Sequence, residues 1–338
     1  MLYINCIKYL LYIGKMSPIN RLLMVILLLF IVAIIYALYH SSDLIKSNPF
    51  LDKNLLKRGM DKPVIWLYYD TSDVNSRHWF DFGARTSRAL NLPFLNLCYE
   101  TIVNQNKENY RVEVIGGLQG VAELLGGWNK LPPGLRDPIA PVNEAELNYI
   151  RSTILAKYGG LWLTPYSISL NGFGNLPKDK IVFFGTDLEE TYSGSNGTTV
   201  PGFRAIWSPY PEHPLFKEWS EITYARVAQK RGGDQIRRDA NWDYIELTNK
   251  YVANGIIVDP AVEGMRKKNG KRIQLEDLLA TGTEGNLPFD LSSYTVYVPF
   301  PWTELRDREF FGWFLRMNEK QILESDIAVK YLIQSGLS

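Results

Sequence analysis

Asn148 and Arg151 stand three residues apart in NEAELNYIRSTILAKY, a spacing that puts both side chains on one face of a helix. An arginine is a permanent cation with a planar fork of donors suited to carboxylate or phosphate. An asparagine amide both donates and accepts, so it can read a hydroxyl. Taken alone, Arg151 is also an ordinary solvated helix charge. A second group is acidic. Asp187, Glu189 and Glu190 follow the apolar run IVFFG and open a polar stretch reaching Gly197. A carboxylate just beyond a buried strand can do acid–base or electrostatic work; the same residues also read as a solvated acidic turn. Asp70 closes another apolar run, VIWLYY, in the same manner.

Other chemistries lack their residues. There are two cysteines, Cys6 and Cys98, and three histidines, His40, His78 and His213. That excludes a disulfide framework and a Cys/His zinc site. No Gly-x-Gly-x-x-Gly follows the first strand, and no P-loop, nucleophile elbow or His-Glu-x-x-His occurs. His213, in Pro-Glu-His-Pro, reads as a structural residue in a loop entering a helix. Lys plus Arg is 37 against 36 for Asp plus Glu, a net of +1, so no nucleic-acid partner is expected.

The elements that must position these residues are legible around them. Val64–Tyr69 suits a buried strand, and 76–90 and Phe94–Asn104 look helical. Tyr110–Ile115 alternates up to Gly116-Gly117 and reads as a strand. Asn143 with Glu146 makes a capping box for a helix of about four turns. Leu147, Ile150, Ile154, Leu155 and Tyr158 fall at helical spacing as its buried stripe. Gly159-Gly160 ends the helix, and Leu161-Trp162-Leu163 follows as a strand. Strand, helix and strand in this order predict an α/β doubly wound, mostly parallel sheet, with ligands at its carboxyl edge.

Leu22 to Tyr39 is an unbroken run of 18 apolar or aromatic residues. As a helix it would span about 27 Å, close to the hydrocarbon thickness. Residues 1–21 carry Lys8, Lys15 and Arg21 and no acid. The expectation is a single-pass membrane protein with a cytoplasmic N-terminal tail over 1–21, a lipid-spanning helix at 22–39 and a stalk over 40–61. The catalytic-type domain then occupies 62–338, on the far side of the bilayer.

The segment NEAELNYIRSTILAKYGGLWL resembles the core of the capsular-polysaccharide-synthesis and glycosyltransferase-32-like sugar transferases, a group with the GT-A fold. Arg151, Leu155, Tyr158, Gly159, Gly160, Trp162 and Leu163 match that pattern. Weaker likeness extends through IWLYYD, Tyr99–Val112 and Ala205–Trp219, covering about 62–230. The resemblance implies a GT-A-like (Rossmann-like) sheet and a nucleotide-sugar donor. It also implies transfer to a glycan or protein acceptor, with retention and no dedicated base. It assigns Arg151 to the sugar or diphosphate, Asn148 to a hydroxyl, and Tyr68 and Asp70 to the nucleotide. Trp162, Thr164 and Tyr166 would line the donor site, with Asp187 and Glu189 as candidate catalytic carboxylates.

The sequence departs from the family at its metal motif. The two aspartates expected within 164–166 are replaced by Thr164, Pro165 and Tyr166, and no Asp-x-Asp occurs in the chain. Mn²⁺ or Mg²⁺ wants hard, charged oxygen ligands, so no such cofactor is expected here. Two unit charges 4 Å apart interact by about 4 kcal/mol at an effective dielectric near 20, so a diphosphate without its dication needs other cations. Two clusters could supply them: Lys230, Arg231, Arg237 and Arg238, or Arg266, Lys267, Lys268, Lys271 and Arg272. The second is expected on a mobile loop over the carboxyl edge, with Gly270 as its hinge. Both also read as solvated surface. The same departures favour a degenerate transferase fold kept as a binding or structural membrane protein.

Overall fold

Val64–Tyr69 (β1) is an uninterrupted apolar strand, and it lies with both faces covered. Ile65, Leu67 and Tyr69 on one face are fully buried, and Trp66 and Tyr68 on the other nearly so. The computed structural model describes residues 62–70, 92–136, 141–186, 201–228, 243–251, 257–259, 263–283 and 285–338. All of them belong to one compact unit, Asn54–Ser338. The expected membrane helix, the stalk and the helix expected at 76–90 lie outside the described residues. So do Asp187, Glu189, Glu190 and the cluster 230–238. Among the described residues no helix is long and apolar enough to cross a membrane.

The fold is mixed α/β. Arg111–Gly116 (β2) and Gly160–Leu163 (β3) pair with β1 on either side, both parallel to it. Ser167–Ser169 (β4) leaves this sheet. Val182–Thr186 (β5), Pro201–Ser208 (β6) and Ile257–Asp259 (β7) complete it, in the order β2-β1-β3-β6-β5-β7. β6 is antiparallel to both its neighbours and β7 is parallel to β5, so β6 alone runs against the rest. The sheet is therefore mostly parallel, as the sequence predicts, and compatible with a Rossmann-like fold. β4 pairs instead with Tyr297–Pro299 (β8), antiparallel, as a separate ribbon.

Leu92–Asn106 (α1), Gly117–Leu125 (α2), Glu144–Tyr158 (α3), Pro214–Ala228 (α4) and Ala328–Leu337 (α5) are the longer helices. The capping box at α3 forms: Glu146 N donates to Asn143 Oδ1 at 3.0 Å and Asn143 N to Glu146 Oε2 at 2.9 Å. α3 ends at Gly159 (φ 65°) and Gly160 (φ 92°), where the chain turns straight into β3. A Cβ on Gly160 would lie 2.6 Å from Val64 O, so the β1–β3 contact itself requires glycine there.

The buried stripe of α3 differs from its periodicity. Ile150, Ile154 and Leu155 are fully buried, but Tyr158 is 37% exposed and donates its hydroxyl to Leu124 O. Asn148, Arg151 and Ser152 are buried instead. α3 is covered on a second side by α4, through Ser152–Thr223 and Thr153–Ser220 hydroxyl pairs and a Tyr149–Tyr224 ring contact. Two flanks inside leave little helix surface for water, so Arg151 and Ser152 go in with their partners, whereas Asn148 goes in without one. The aromatic stretch 302–314 forms two short helices, Trp302–Asp307 and Gly312–Leu315, joined by a 3-10 turn at Glu309–Phe311. Trp302 and Phe314 pack with Phe300 around Phe94 of α1.

Candidate functional site

Because α3 leads directly into β3, its N-terminal turn lies at the carboxyl edge of β1 and β3. Asp70, one residue beyond β1, accepts a hydrogen bond from Val142 N at 2.7 Å and so anchors the turn that starts α3. The Asp70 carboxylate is thus partly used to hold the helix over the strand end.

Arg151 is not aimed into a wet cleft, as the sequence suggests, but is 3% exposed. It runs back along α3, where its Nη2 pairs with Glu144 two turns earlier. Nη1 donates to Phe203 O at 3.0 Å and Nε to Leu147 O at 3.4 Å. The guanidinium lies 5.4 Å from the Phe203 ring and 6.0 Å from the Trp162 ring. Trp162 in turn stacks on Tyr68 at 6.5 Å. Arg151 therefore ties α3 to β6 across the end of β3. The physical reason is local: an acid two turns upstream and a strand carbonyl within reach satisfy its donors better than a solvent-facing pose.

Asn148, one turn before Arg151, is fully buried, and neither its Oδ1 nor its Nδ2 has a hydrogen-bond partner. A buried amide without partners is costly, and such groups mark places where a water or a ligand belongs.

The metal-motif positions form the bridge from β3 to β4. Thr164 gives both its N–H, at 2.7 Å, and its hydroxyl, at 3.1 Å, to Arg204 O. Tyr166 accepts from Phe300 N through its carbonyl and stacks its ring on Trp302 at 5.2 Å. Pro165 has no side-chain oxygen to offer. A neutral hydroxyl turned to a carbonyl and a stacked phenol do not make a divalent-metal site, so these residues do not fit the cation that the resemblance implies.

Beside this bridge opens a cleft of about 490 Å³, lined by Arg204, Arg272, Gln274, Glu276, Glu304 and Arg308 among others. Its cations are mostly paired. Arg204 Nη1 meets Glu263 Oε1 at 3.3 Å. Gly185 makes that pairing possible, since a Cβ there would collide with the Glu263 carboxylate. Arg308 bridges Glu276 at 2.5 Å and Glu304 at 2.7 Å. The Arg308 hydrogen bond holds the Glu276 carboxyl below its usual range. Arg272 has no carboxylate partner among the described residues. It ends a hairpin at 266–272, closed by the Arg266–Arg272 bridge and the Gly270 N to Lys267 O bond of 2.8 Å.

That hairpin is where the sequence expects the basic cluster, at the carboxyl edge, but it is not a free lid. Lys268 N donates to Pro288 O and Asp290 N to Arg266 O, lacing it to the 288–290 segment. Gly270 (φ 79°) serves the turn itself rather than a hinge.

Comparison of the chain with protein-family models gives no match, and comparison with curated proteins gives none either. The site is therefore argued on its own geometry. Of the residues named from sequence, Arg151, Trp162 and Tyr68 come together beneath the carboxyl edge. Asn148 lies within one turn of Arg151 on α3, and Asp70 anchors the turn at its start. Thr164 is bonded to the backbone of Arg204, which lines the cleft, and Tyr166 stacks away on Trp302. Arg204, Glu263, Glu304 and Arg308 were missed. Arg204 had a signal, a lone charge inside the apolar strand FRAIW. Arg308 had none, because it reaches the cleft only through a short helix near the C-terminus.

Proposed function

We propose that the chain is a GT-A-like glycosyltransferase of type II membrane topology. It moves a sugar from a nucleotide-sugar to a glycan or protein acceptor and works without Mn²⁺ or Mg²⁺ at positions 164–166. The observation that carries this reading is positional. The Gly-Gly-Leu-Trp-Leu strand β3 lies inside a mostly parallel sheet, and its carboxyl end runs directly to a polar cleft of ligand size. In this reading the sheet is doubly wound and the donor occupies the cleft. Arg151 acts as a positioning residue, fixing Trp162 and the Phe203–Arg204 backbone that lines the approach. Asn148 stands ready for a hydroxyl if the N-terminal turn of α3 opens. Asp187 and Glu189, which follow β5 in sequence, remain the candidate catalytic carboxylates. The topology proposed is a cytoplasmic tail at 1–21, a bilayer helix at 22–39 and a stalk to residue 61.

A second reading, a degenerate transferase fold acting as a binding or structural membrane protein, has its own support. Arg151 is turned inward onto Glu144, and Thr164 is bonded to the backbone. Titration of the full-length protein in detergent with a panel of nucleotide-sugars, with and without Mn²⁺, separates the readings. The transferase reading expects binding unaffected by chelation and turnover of at least one donor. Binding without turnover favours the degenerate fold. No binding by any donor defeats the transferase reading and leaves the degenerate fold only a structural role.

A further inference from the structure

We infer that the cleft beside Thr164–Tyr166 is a metal-independent diphosphate site, with the Arg272 guanidinium as its principal anion ligand. This rests on the donor reading for the identity of the natural ligand, not for the chemistry of the cleft. The argument begins with how its charges are spent. Arg204 is held by Glu263, and Arg308 is shared between Glu276 and Glu304, so these two cations face three carboxylates and leave no positive charge over. The hairpin at 266–272 differs. Of its five cations, Lys267 is paired with Asp277 at 2.9 Å and Arg266 is turned to Gly270 O at 2.9 Å. Lys268, Lys271 and Arg272 have no acidic partner among the described residues, and all three are exposed. Arg272 is the one of these three that lines the cavity.

A cleft lined both by carboxylates that hold its other arginines and by the guanidinium of Arg272 sorts a ligand by charge. The anionic part sits against Arg272, with Lys271 and Lys268 of the same hairpin adding to the field. Hydroxyl groups fall towards Glu276, Glu304 and Gln274, whose oxygens accept from them. A diphosphate carrying a sugar or ribose has both parts. The hairpin is laced to 288–290, so the wall is preorganised and costs little ordering on binding. The site also lies where a dication would otherwise be needed, since Arg204, which lines it, accepts the Thr164 hydrogen bonds at its carbonyl.

The test uses the full-length protein in detergent, with EDTA throughout and inorganic pyrophosphate as the probe. The expected result is saturable binding, tighter than for orthophosphate, that Arg272→Gln weakens about tenfold or more. Arg272 is exposed, so this variant keeps the fold. Lys178→Gln is the control, because Lys178 lines a separate cavity with Lys62 and Trp207. It should leave the affinity unchanged. Equal affinity in Arg272→Gln, equal loss in Lys178→Gln, no preference for pyrophosphate over orthophosphate, or no binding without metal each overturns the inference. Failure of the donor reading looks different. Pyrophosphate would still bind through Arg272, but no nucleotide-sugar would compete with it.

Discussion

At the scale of single residues, α3 carries two buried polar groups with opposite accounts. Arg151 is satisfied at every turn, by Glu144, Leu147 O and Phe203 O. Asn148 is satisfied nowhere. Arg151→Ala should destabilise the protein by about 2–3 kcal/mol, read from the urea midpoint. The Glu144 side chain is 42% exposed and can rehydrate, so the loss falls on the Phe203 carbonyl and on packing against Trp162. A change under about 0.5 kcal/mol would return Arg151 to the class of surface charges. Asn148→Leu, which keeps the heavy-atom count, should raise stability by about 1–2 kcal/mol by removing two unpaired polar atoms, less whatever its bulkier methyl groups cost in packing. If it lowers stability instead, the amide has a partner such as a buried water. If it also abolishes donor binding, the hydroxyl-reading role gains support.

At the scale of elements, two junctions set the frame. Gly160 joins α3 to β3 with φ 92° and no room beside Val64 O. Gly160→Ala should cost about 3 kcal/mol or more, from left-handed strain plus a displaced strand pair. Gly270→Ala meets nothing within 4 Å and should cost only about 1 kcal/mol, for the positive φ alone. The two variants measured side by side separate crowding from conformation, and similar losses would refute the crowding argument. At the start of α4, His213 Nδ1 accepts from Leu215 N at 3.2 Å, so the neutral ring acts as a cap. Burial lowers the His213 pKa from its ordinary 6.5. The unfolded chain therefore takes up the proton first. The stabilisation is fully present above pH 6.5 and is lost as pH falls through that value towards the folded pKa. Melting temperature followed over this range should show that slope, and His213→Gln should flatten it. An unchanged slope in the variant would assign the effect to other groups.

At the scale of the whole molecule, the C-terminal third decides what the carboxyl edge presents. The β4–β8 ribbon, the 266–272 hairpin and the short helix with Arg308 build the cleft from segments far apart in sequence. α5 packs on α1 and β4 and fixes the ribbon from behind: Asn104 and Gln105 of α1 both donate to Gly336 O, and a Cβ on Gly336 would meet Ser169 O at 2.2 Å. The proposed topology belongs to this scale too, and it rests on the basic, acid-free segment before Leu22. Protease added to sealed microsomes should spare 41–338 until detergent is present. Digestion without detergent would reverse the orientation.

The sequence alone determined what short-range physics controls. The capping box at Asn143 and Glu146, the helix stop at Gly159-Gly160 and the apolar strands β1 and β3 depend on neighbours within a few residues. From these the α/β class and the carboxyl-edge location follow, and so does the lack of carboxylates at 164–166. The tertiary structure decided where the charges went. Periodicity could place Arg151 on a helix face but could not tell that the Phe203 carbonyl of β6 would come within reach and, with Glu144, hold the arginine inward. It also could not bring Arg204, Arg272 and Arg308 to one cleft, because nothing in a strand, a hairpin and a C-terminal helix records their mutual distance. Those three arginines meet only because β6 runs against its neighbours and sets Arg204 beside Thr164, where the C-terminal segments close over it.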